Sequence, residues 1–314
     1  MIKILRQIIW TEIKGAQLSL DIYVPEKTPA PVLMIFHGGG WLINSNRIMD
    51  DMSRYMAEQG GMLVVNVNYR LLADNNNGVA LNEIVEDAFG AVLWVKNRIA
   101  DFGGDARRIA ITGDSAGAHL AAMVLVAGRR LGAGFSRSVR DKQNLSYCPS
   151  FMPESQTFES LIQSDALRVQ AAVLSYGIFD LLPLAGGLES IHNTFWQLAG
   201  VQPRPLLGAG ITVASHPEWY KAVSPAWQIP PVTDYRLPPQ FHHVGSLDDV
   251  TPSAGIQQYV AQLRGVGQTV EFREYAGKRH AYLDSGKNDE LGRSFQQDAI
   301  PVLEEILGFL DAVM

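Results

Sequence analysis

One short segment of the chain combines a nucleophile with two glycines: Gly113-Asp114-Ser115-Ala116-Gly117. It follows an apolar run typical of a buried strand and precedes a run typical of a helix. A serine can attack a carbonyl when a tight strand-to-helix turn exposes its oxygen, and such a turn leaves no room for side chains two residues to either side. The pattern predicts Ser115 as a catalytic nucleophile, with a plain turn at a helix start as the alternative. For Asp114 we expect a structural role, hydrogen-bonding nearby backbone.

A second glycine-rich segment is His37-Gly38-Gly39-Gly40-Trp41, which follows the apolar run 32–36. That position is the carboxyl edge of a parallel sheet, where open α/β sheets bind ligands. Acyl transfer develops negative charge on a carbonyl oxygen, and backbone N–H groups placed beforehand stabilise that charge. We predict the amides of Gly38 and Gly39 as these donors, with the amide of Ala116 as a third. Taken alone, a glycine run can equally be a flexible loop.

The elements that must position these residues alternate along the chain after two N-terminal strands, predicted over 6–14 and 17–24. Further strands are predicted over 32–36, 62–69, 109–112, 171–176, 240–244 and 270–275, and helices over 49–58, 81–100, 118–127, 253–263 and 293–312. This alternation predicts an α/β protein with a mostly parallel, doubly wound sheet and antiparallel N-terminal strands. Two segments, 128–168 and 199–239, are long for connections. We therefore expect a single domain over 1–314, with these insertions forming a cap over the sheet.

Composition excludes several classes of protein. The 314 residues carry 26 Lys plus Arg against 32 Asp plus Glu, a net charge of −6, and 47% are hydrophobic. A globular fold is expected, and the lack of a basic block argues against nucleic acid or anionic lipid as partners.

The lone Cys148 cannot form an intramolecular disulfide, and no Cys/His spacing resembles a zinc site. Residues 1–10 do not resemble a signal peptide, and no apolar run approaches the roughly 18 residues of a membrane span. We expect a cytoplasmic protein with no membrane association and no cofactor. The sequence leaves open whether the protein forms a homodimer.

Five landmarks in order carry a family resemblance: the HGGGW loop, Val67-Asn68-Tyr69-Arg70-Leu71, Glu86-Asp87-Ala88, Phe102-Gly103-Gly104-Asp105 and the GDSAG turn. Together they resemble the hormone-sensitive-lipase-like carboxylesterases of the α/β-hydrolase superfamily. The likeness is clearest over 32–127 and returns over 237–280, whereas the two insertions match nothing. It implies an α/β-hydrolase fold, a serine–acid–histidine triad in that chain order, and hydrolysis of carboxylic esters without a cofactor. In that family His37 supports the fold of its loop.

A serine hydroxyl needs a base to take its proton and a carboxylate to orient that base. Among seven histidines, the resemblance favours His280, in the loop after the last predicted strand, although Ala281 replaces the family's usual glycine. The stretch Gly245-Ser246-Leu247-Asp248-Asp249-Val250-Thr251-Pro252 resembles the family's G-x-x-D-x-x-x-P turn and selects Asp248 as the acid. Asp249 is the rival, since only one of two adjacent carboxylates can receive the imidazole N–H.

The other polar candidates favour structural roles. Of His242 and His243, which fall in a predicted strand, alternation would bury one as a core histidine. His119, on the helix after the serine turn, is expected to pack or to hydrogen-bond. Asp180 resembles the family's structural aspartate. His192 and His216 carry no signal.

These roles predict a serine carboxylesterase that hydrolyses short-chain acyl or aryl esters through an acyl-enzyme. The pocket is expected to be lined by Trp41 and by the two insertions. Four aromatic residues of the second half could wall an apolar site or simply anchor loops: Trp196, Trp219, Tyr220 and Trp227. An amidase, formamidase or peptidase could use the same triad, and a small-molecule-binding protein on a hydrolase scaffold is the non-catalytic alternative.

Overall fold

The computed structural model of the chain describes residues 1–135, 145–290 and 292–314. Its main feature is an eight-stranded sheet. With the strands numbered along the chain, they lie side by side in the order 1-2-4-3-5-6-7-8. The strands are β1 (Lys3–Ile13), β2 (Ala16–Val24), β3 (Ala30–Phe36), β4 (Leu63–Val67), β5 (Gly104–Asp114), β6 (Ala171–Ser175), β7 (Gln240–Gly245) and β8 (Val270–Tyr275). A separate two-stranded sheet pairs β9 (Lys287–Asn288) with β10 (Arg293–Ser294).

Helices connect most of these strands. They are α1 (Asp50–Glu58), α2 (Asp74–Asn77), α3 (Leu81–Arg98), α4 (Ala116–Ala127), α5 (Phe158–Gln163), α6 (Ala185–Leu188), α7 (Thr194–Leu198), α8 (Pro217–Ala222), α9 (Ser253–Gly265) and α10 (Ile300–Val313). Short 3₁₀ turns occupy Asn46–Met49, Ile99–Phe102 and Pro225–Trp227.

The pairing of the strands confirms the predicted sheet. β1 pairs antiparallel with β2, and β2 pairs antiparallel with β4, whereas all pairs from β4 through β8 are parallel. β3 and β4 are buried on both faces, which is why they read as continuous apolar runs rather than alternating ones. The carboxyl ends of β3, β5, β6, β7 and β8 therefore share one edge of the sheet.

The last predicted helix begins later than the sequence suggested. Instead of a helix over 293–312, β10 is followed by a π-helical turn at Phe295–Ala299, and α10 begins at Ile300. Pro301 lies in the first turn of α10. Proline has no N–H to donate and clashes within a helix, so it is tolerated there and not in the interior.

The two insertions contact each other. The hydroxyl of Tyr147, in the first insertion, donates to the carbonyl of Ala222 in the second at 2.8 Å, and Arg130 hydrogen-bonds to Gln228. Residues 136–144 of the first insertion lie outside the described part of the chain. Within the part described, no helix is both long and apolar enough to cross a membrane.

Candidate active site

Ser115 stands at a sharp turn between β5 and α4, with φ 52° and ψ −115°. A non-glycine residue with positive φ is strained, and such strain is typical of functional sites. A Cβ added at Gly117 would overlap the carbonyl oxygen of Phe36, and one added at Gly113 would overlap the backbone of Gly117. The two glycines are therefore required by close backbone packing, as their spacing indicated.

The structure brings the three predicted side chains together. The Nε2 atom of His280 lies 3.0 Å from the hydroxyl oxygen of Ser115. The Nδ1 atom of the same ring lies 2.8 Å from Oδ2 of Asp248. Asp248 follows β7, and His280 lies in the loop after β8, so both loops lie at the edge of the sheet where β5 delivers Ser115. The contacts run in an unbroken line from the carboxylate through the imidazole to the hydroxyl, which is the geometry that a serine–histidine–acid triad requires.

The carboxylate of Asp248 is held by backbone amides and by His280. Its Oδ1 accepts the amides of Val250 at 3.0 Å and Thr251 at 2.8 Å. Its Oδ2 lies 2.8 Å from His280 and 3.1 Å from the hydroxyl of Thr251, whose one hydrogen can go to this oxygen or to a nearby backbone carbonyl. Donors to an ionised carboxylate fix its orientation and stabilise its charge. The neighbouring Asp249 is exposed. Of the two adjacent carboxylates, Asp248 is the one that contacts the imidazole.

Tyr176, which directly follows β6, connects the acid and base loops. Its carbonyl accepts the hydroxyl of Thr251 at 2.9 Å, and its ring packs edge-on against His280 with the centroids 4.9 Å apart. Its own hydroxyl accepts the amide of Leu283 at 3.4 Å. The backbone of Tyr176 is strained, with φ 39°. Sequence reasoning assigned no role to Tyr176 or Thr251, because neither residue type is diagnostic without its neighbours in space.

The three predicted oxyanion donors differ in their surroundings. Ala116 is the first residue of α4, so its N–H has no acceptor within the helix. Gly39 has φ 116°, a conformation that favours glycine. A Cβ added at Gly38 would lie 2.3 Å from Oδ2 of Asp114, so the side chain of Asp114 packs closely against this residue of the glycine loop.

Asp114 is a buried structural residue. Burial, together with nearby Asp284, raises the pKa of Asp114 well above its usual range. Burial also raises the pKa of Asp284 to about 6, against the opposing effect of Arg293, whose guanidinium lies 2.5 Å from its carboxylate. These groups form a polar layer beneath the glycine loop.

A second serine–histidine pair lies in the core. The hydroxyl of Ser175 is 2.9 Å from Nε2 of His243, whose Nδ1 contacts the hydroxyl of Tyr282 at 2.5 Å. Ser175 and His243 are fully buried, and burial lowers the pKa of His243 to about 3. No substrate reaches this pair, so it is not a candidate site.

The remaining histidines behave largely as expected. His242 is buried like His243, so both are core histidines where alternation predicted one. His119 is buried and its Nε2 contacts the carbonyl of Val223 at 2.8 Å. His37 stacks on Tyr69, and the Tyr69 hydroxyl donates to the carbonyl of His37, which fixes the glycine loop.

Two cavities meet at Ser115. One has a volume of about 420 Å³ and is mainly apolar; its walls include Trp41, Leu42, Ile178, Leu188, Phe195 and Leu206. The other has a volume of about 650 Å³ and is rich in charge; its walls include Asp249, Arg279, His280, Asp284, Glu290 and Arg293.

The predicted pocket lining is only partly observed. Trp41 lines the apolar cavity. Trp196, Trp219 and Tyr220 are buried and Trp227 is exposed, and none of the four lines either cavity at Ser115, so they anchor their segments rather than wall the site. Much of the apolar wall comes from 187–195, just before the predicted second insertion. Among the described residues, no group of three His, Cys, Asp or Glu side chains could hold a metal ion.

The sheet order, with the serine turn after β5 and the acid and base loops after β7 and β8, defines an α/β-hydrolase fold. The chain belongs to the BD-FAE family, whose model matches residues 20–263.

Several known proteins are similar to this chain in sequence or in fold. The esterase LipQ of Mycobacterium tuberculosis is 30% identical over 275 residues, 85% of this chain and 55% of that protein. The probable carboxylic ester hydrolase LipM of the same organism is 28% identical, over 81% of this chain and 49% of that protein. The chain thus spans about half the length of these curated relatives.

Thermogutta terrifontis esterase 2 in its apo form has a TM-score of 0.66 at 23% identity, over 100% of this chain and 96% of that one. Its butyrate-bound form has a TM-score of 0.64 at 23% identity, over 99% and 94%.

Proposed function

We propose that the protein is a serine carboxylesterase in which Ser115 is the nucleophile, His280 the general base and Asp248 the acid that orients it. The observation that carries this proposal is the continuous chain of contacts from Asp248 through His280 to Ser115, at 2.8 and 3.0 Å. Esterase names among the relatives support the same reaction class.

The reaction proceeds in two halves. His280 takes the proton of the Ser115 hydroxyl as its oxygen attacks the ester carbonyl, and then gives that proton to the leaving alcohol. Water, activated by the same imidazole, cleaves the acyl-enzyme. The amides of Gly38 and Gly39, with that of Ala116 as a third, hold the oxyanion in both halves.

We also propose that the protein is a member of the hormone-sensitive-lipase-like carboxylesterases. The HGGGW loop and the GDSAG turn lie side by side at the sheet edge, since β3 and β5 are neighbours. Within this kinship the whole chain, 1–314, is one catalytic domain. The segments 128–168 and 199–239 form its cap, supported by the contacts between Tyr147 and Ala222.

The cavities suggest the substrate. The proton donor to the leaving alcohol must lie next to that alcohol, and of the two cavities His280 lines only the charged one. The alcohol therefore occupies the charged cavity, and the acyl group occupies the apolar cavity beside Trp41. An apolar cavity favours esters of apolar acids, and the T. terrifontis esterase solved with butyrate bound supports a short-chain acyl or aryl acid. A diffusible small ester in the cytoplasm is the proposed substrate.

Initial rates on p-nitrophenyl esters from C2 to C12 test this function, with Ser115→Ala as the inactive control. Matched esters and anilides of one acid separate an esterase from an amidase or peptidase, because an amide also requires protonation of its leaving nitrogen. Binding of an ester without turnover by the intact protein would instead favour the non-catalytic alternative.

A further inference from the structure

Two side chains stand between the cavities on either side of Ser115. Phe195 and Val250 each line both the apolar and the charged cavity. The ring of Phe195 rests on the glycine loop, since a Cβ at Gly40 would lie 3.0 Å from its Cγ atom. Together these side chains form a partition above Ser115.

The position of Phe195 is fixed by its neighbours. Its amide donates to the side chain of Asn193 at 3.0 Å. The next residue, Trp196, is fully buried, and its indole N–H donates to the carbonyl of Leu188 at 2.7 Å. The guanidinium of Arg204 lies 5.9 Å from the centre of the Trp196 ring. These contacts anchor the backbone of α7 on both sides of Phe195, and the phenyl ring projects from this anchored helix against Gly40.

We propose that Phe195, with Val250 opposite, determines acyl specificity by closing the apolar cavity to long or branched acyl groups. This inference rests on the proposed esterase function, in which the acyl group occupies the apolar cavity. An acyl chain that extends from Ser115 along the side of Phe195 meets the partition, beyond which lies the charged cavity. The protein is thus specific for esters of compact apolar acids.

Phe195→Ala tests the partition. The readout is the ratio of kcat/KM for p-nitrophenyl octanoate to that for p-nitrophenyl butyrate, which is independent of the fraction of active enzyme. We expect the ratio to rise at least tenfold in Phe195→Ala. The bulkier Phe195→Trp should shift preference from butyrate toward acetate. Glu271→Gln, at an exposed side chain that lines neither cavity, should leave the ratio unchanged.

Val250→Ala and Phe195→Leu serve as second variants should Phe195→Ala fold poorly. A ratio that rises less than fivefold in every folded variant of Phe195 and Val250 would overturn the proposal. That result differs from failure of the esterase function itself, in which the wild-type protein would turn over none of the p-nitrophenyl esters.

Discussion

The imidazole Nε2 of His280 lies 3.0 Å from the hydroxyl of Ser115, although 165 positions separate the two residues in the chain. The sheet topology produces this contact. β5 is separated from β8 only by β6 and β7, all four strands run parallel, and each catalytic loop leaves a carboxyl end at the same edge. Ligand sites of open α/β sheets lie at that edge.

We predict that mutating the two adjacent carboxylates of the acid loop lowers kcat by very different amounts. Asp248→Asn keeps the shape of the side chain but no longer favours the tautomer that leaves Nε2 free to accept the serine proton. We expect kcat to fall about 10⁴-fold, the size of this effect in a serine protease triad. Asp249→Asn, on the exposed neighbour, should change kcat less than about threefold, since it does not touch the imidazole. Equal losses in both variants would refute the choice of Asp248.

Thr251 is predicted to position the acid and base. Its hydroxyl lies 3.1 Å from Asp248, 2.9 Å from the carbonyl of Tyr176 and 3.2 Å from Nδ1 of His280. Thr251→Val keeps the volume and removes this hydroxyl, so that one buried acceptor, the carboxylate of Asp248 or the carbonyl of Tyr176, loses its donor at a cost of about 1–3 kcal/mol. We expect kcat to fall about 10–100-fold with little change in KM. Thr251→Ser should restore most of the rate; a Ser variant as slow as the Val variant would show that packing matters instead.

The buried carboxyl group of Glu86 should make the free energy of unfolding depend on pH. Burial raises the pKa of Glu86 from 4.5 to about 7, with Glu83 and Asp87 adding to the rise and the Cys148 amide and Arg70 opposing it. A raised folded-state pKa means that the folded protein binds the proton more tightly. The associated stability is present below pH 4.5 and is lost as the pH rises through about 7.

Glu86→Gln should therefore stabilise the protein at pH 8, by up to about 3 kcal/mol. The gain should shrink as the pH falls to 5. Urea unfolding at the two pH values measures it, and Glu271→Gln, an exposed carboxylate, controls for the loss of one negative charge. A gain that is equal at both pH values would contradict the account.

Because the backbone is closely packed at the serine turn, we predict that adding one methyl group at Gly117 greatly lowers the free energy of unfolding. In Gly117→Ala the new Cβ overlaps the carbonyl oxygen of Phe36, and backbone cannot move aside as a side chain can. We expect a loss of more than about 2 kcal/mol in unfolding free energy, or failure to fold. Gly186→Ala, with no atom within 4 Å of its added Cβ, is the matched control and should be near neutral. Thermal unfolding of both variants distinguishes these outcomes.

Much of the fold and the candidate site was predictable because the signals are local. The glycines of the serine turn are fixed by contacts within a few residues of Ser115 and with the neighbouring strand β3. Buried strands such as β3 and β4 read as apolar runs. The choice of Asp248 and His280 rested on the resemblance of their loops, after β7 and β8, to those of a known family.

What the sequence could not predict depends on contacts between distant segments. The phenyl ring of Phe195 and the hydroxyl of Thr251 gain their positions from residues far along the chain, Gly40 and Tyr176. The late start of α10 reflects pairing of β9 with β10 and the proline at 301, which a helical pattern alone does not reveal.

Covalent labelling tests the central claim most directly. A fluorophosphonate reacts only with a serine whose hydroxyl is activated by a base, and mass spectrometry of the digested protein locates the adduct. We predict one adduct per chain, on the peptide that contains Ser115, and a labelling rate reduced at least a hundredfold in His280→Ala. An adduct on a different serine, or labelling of Ser115 that is unchanged without His280, would contradict the account.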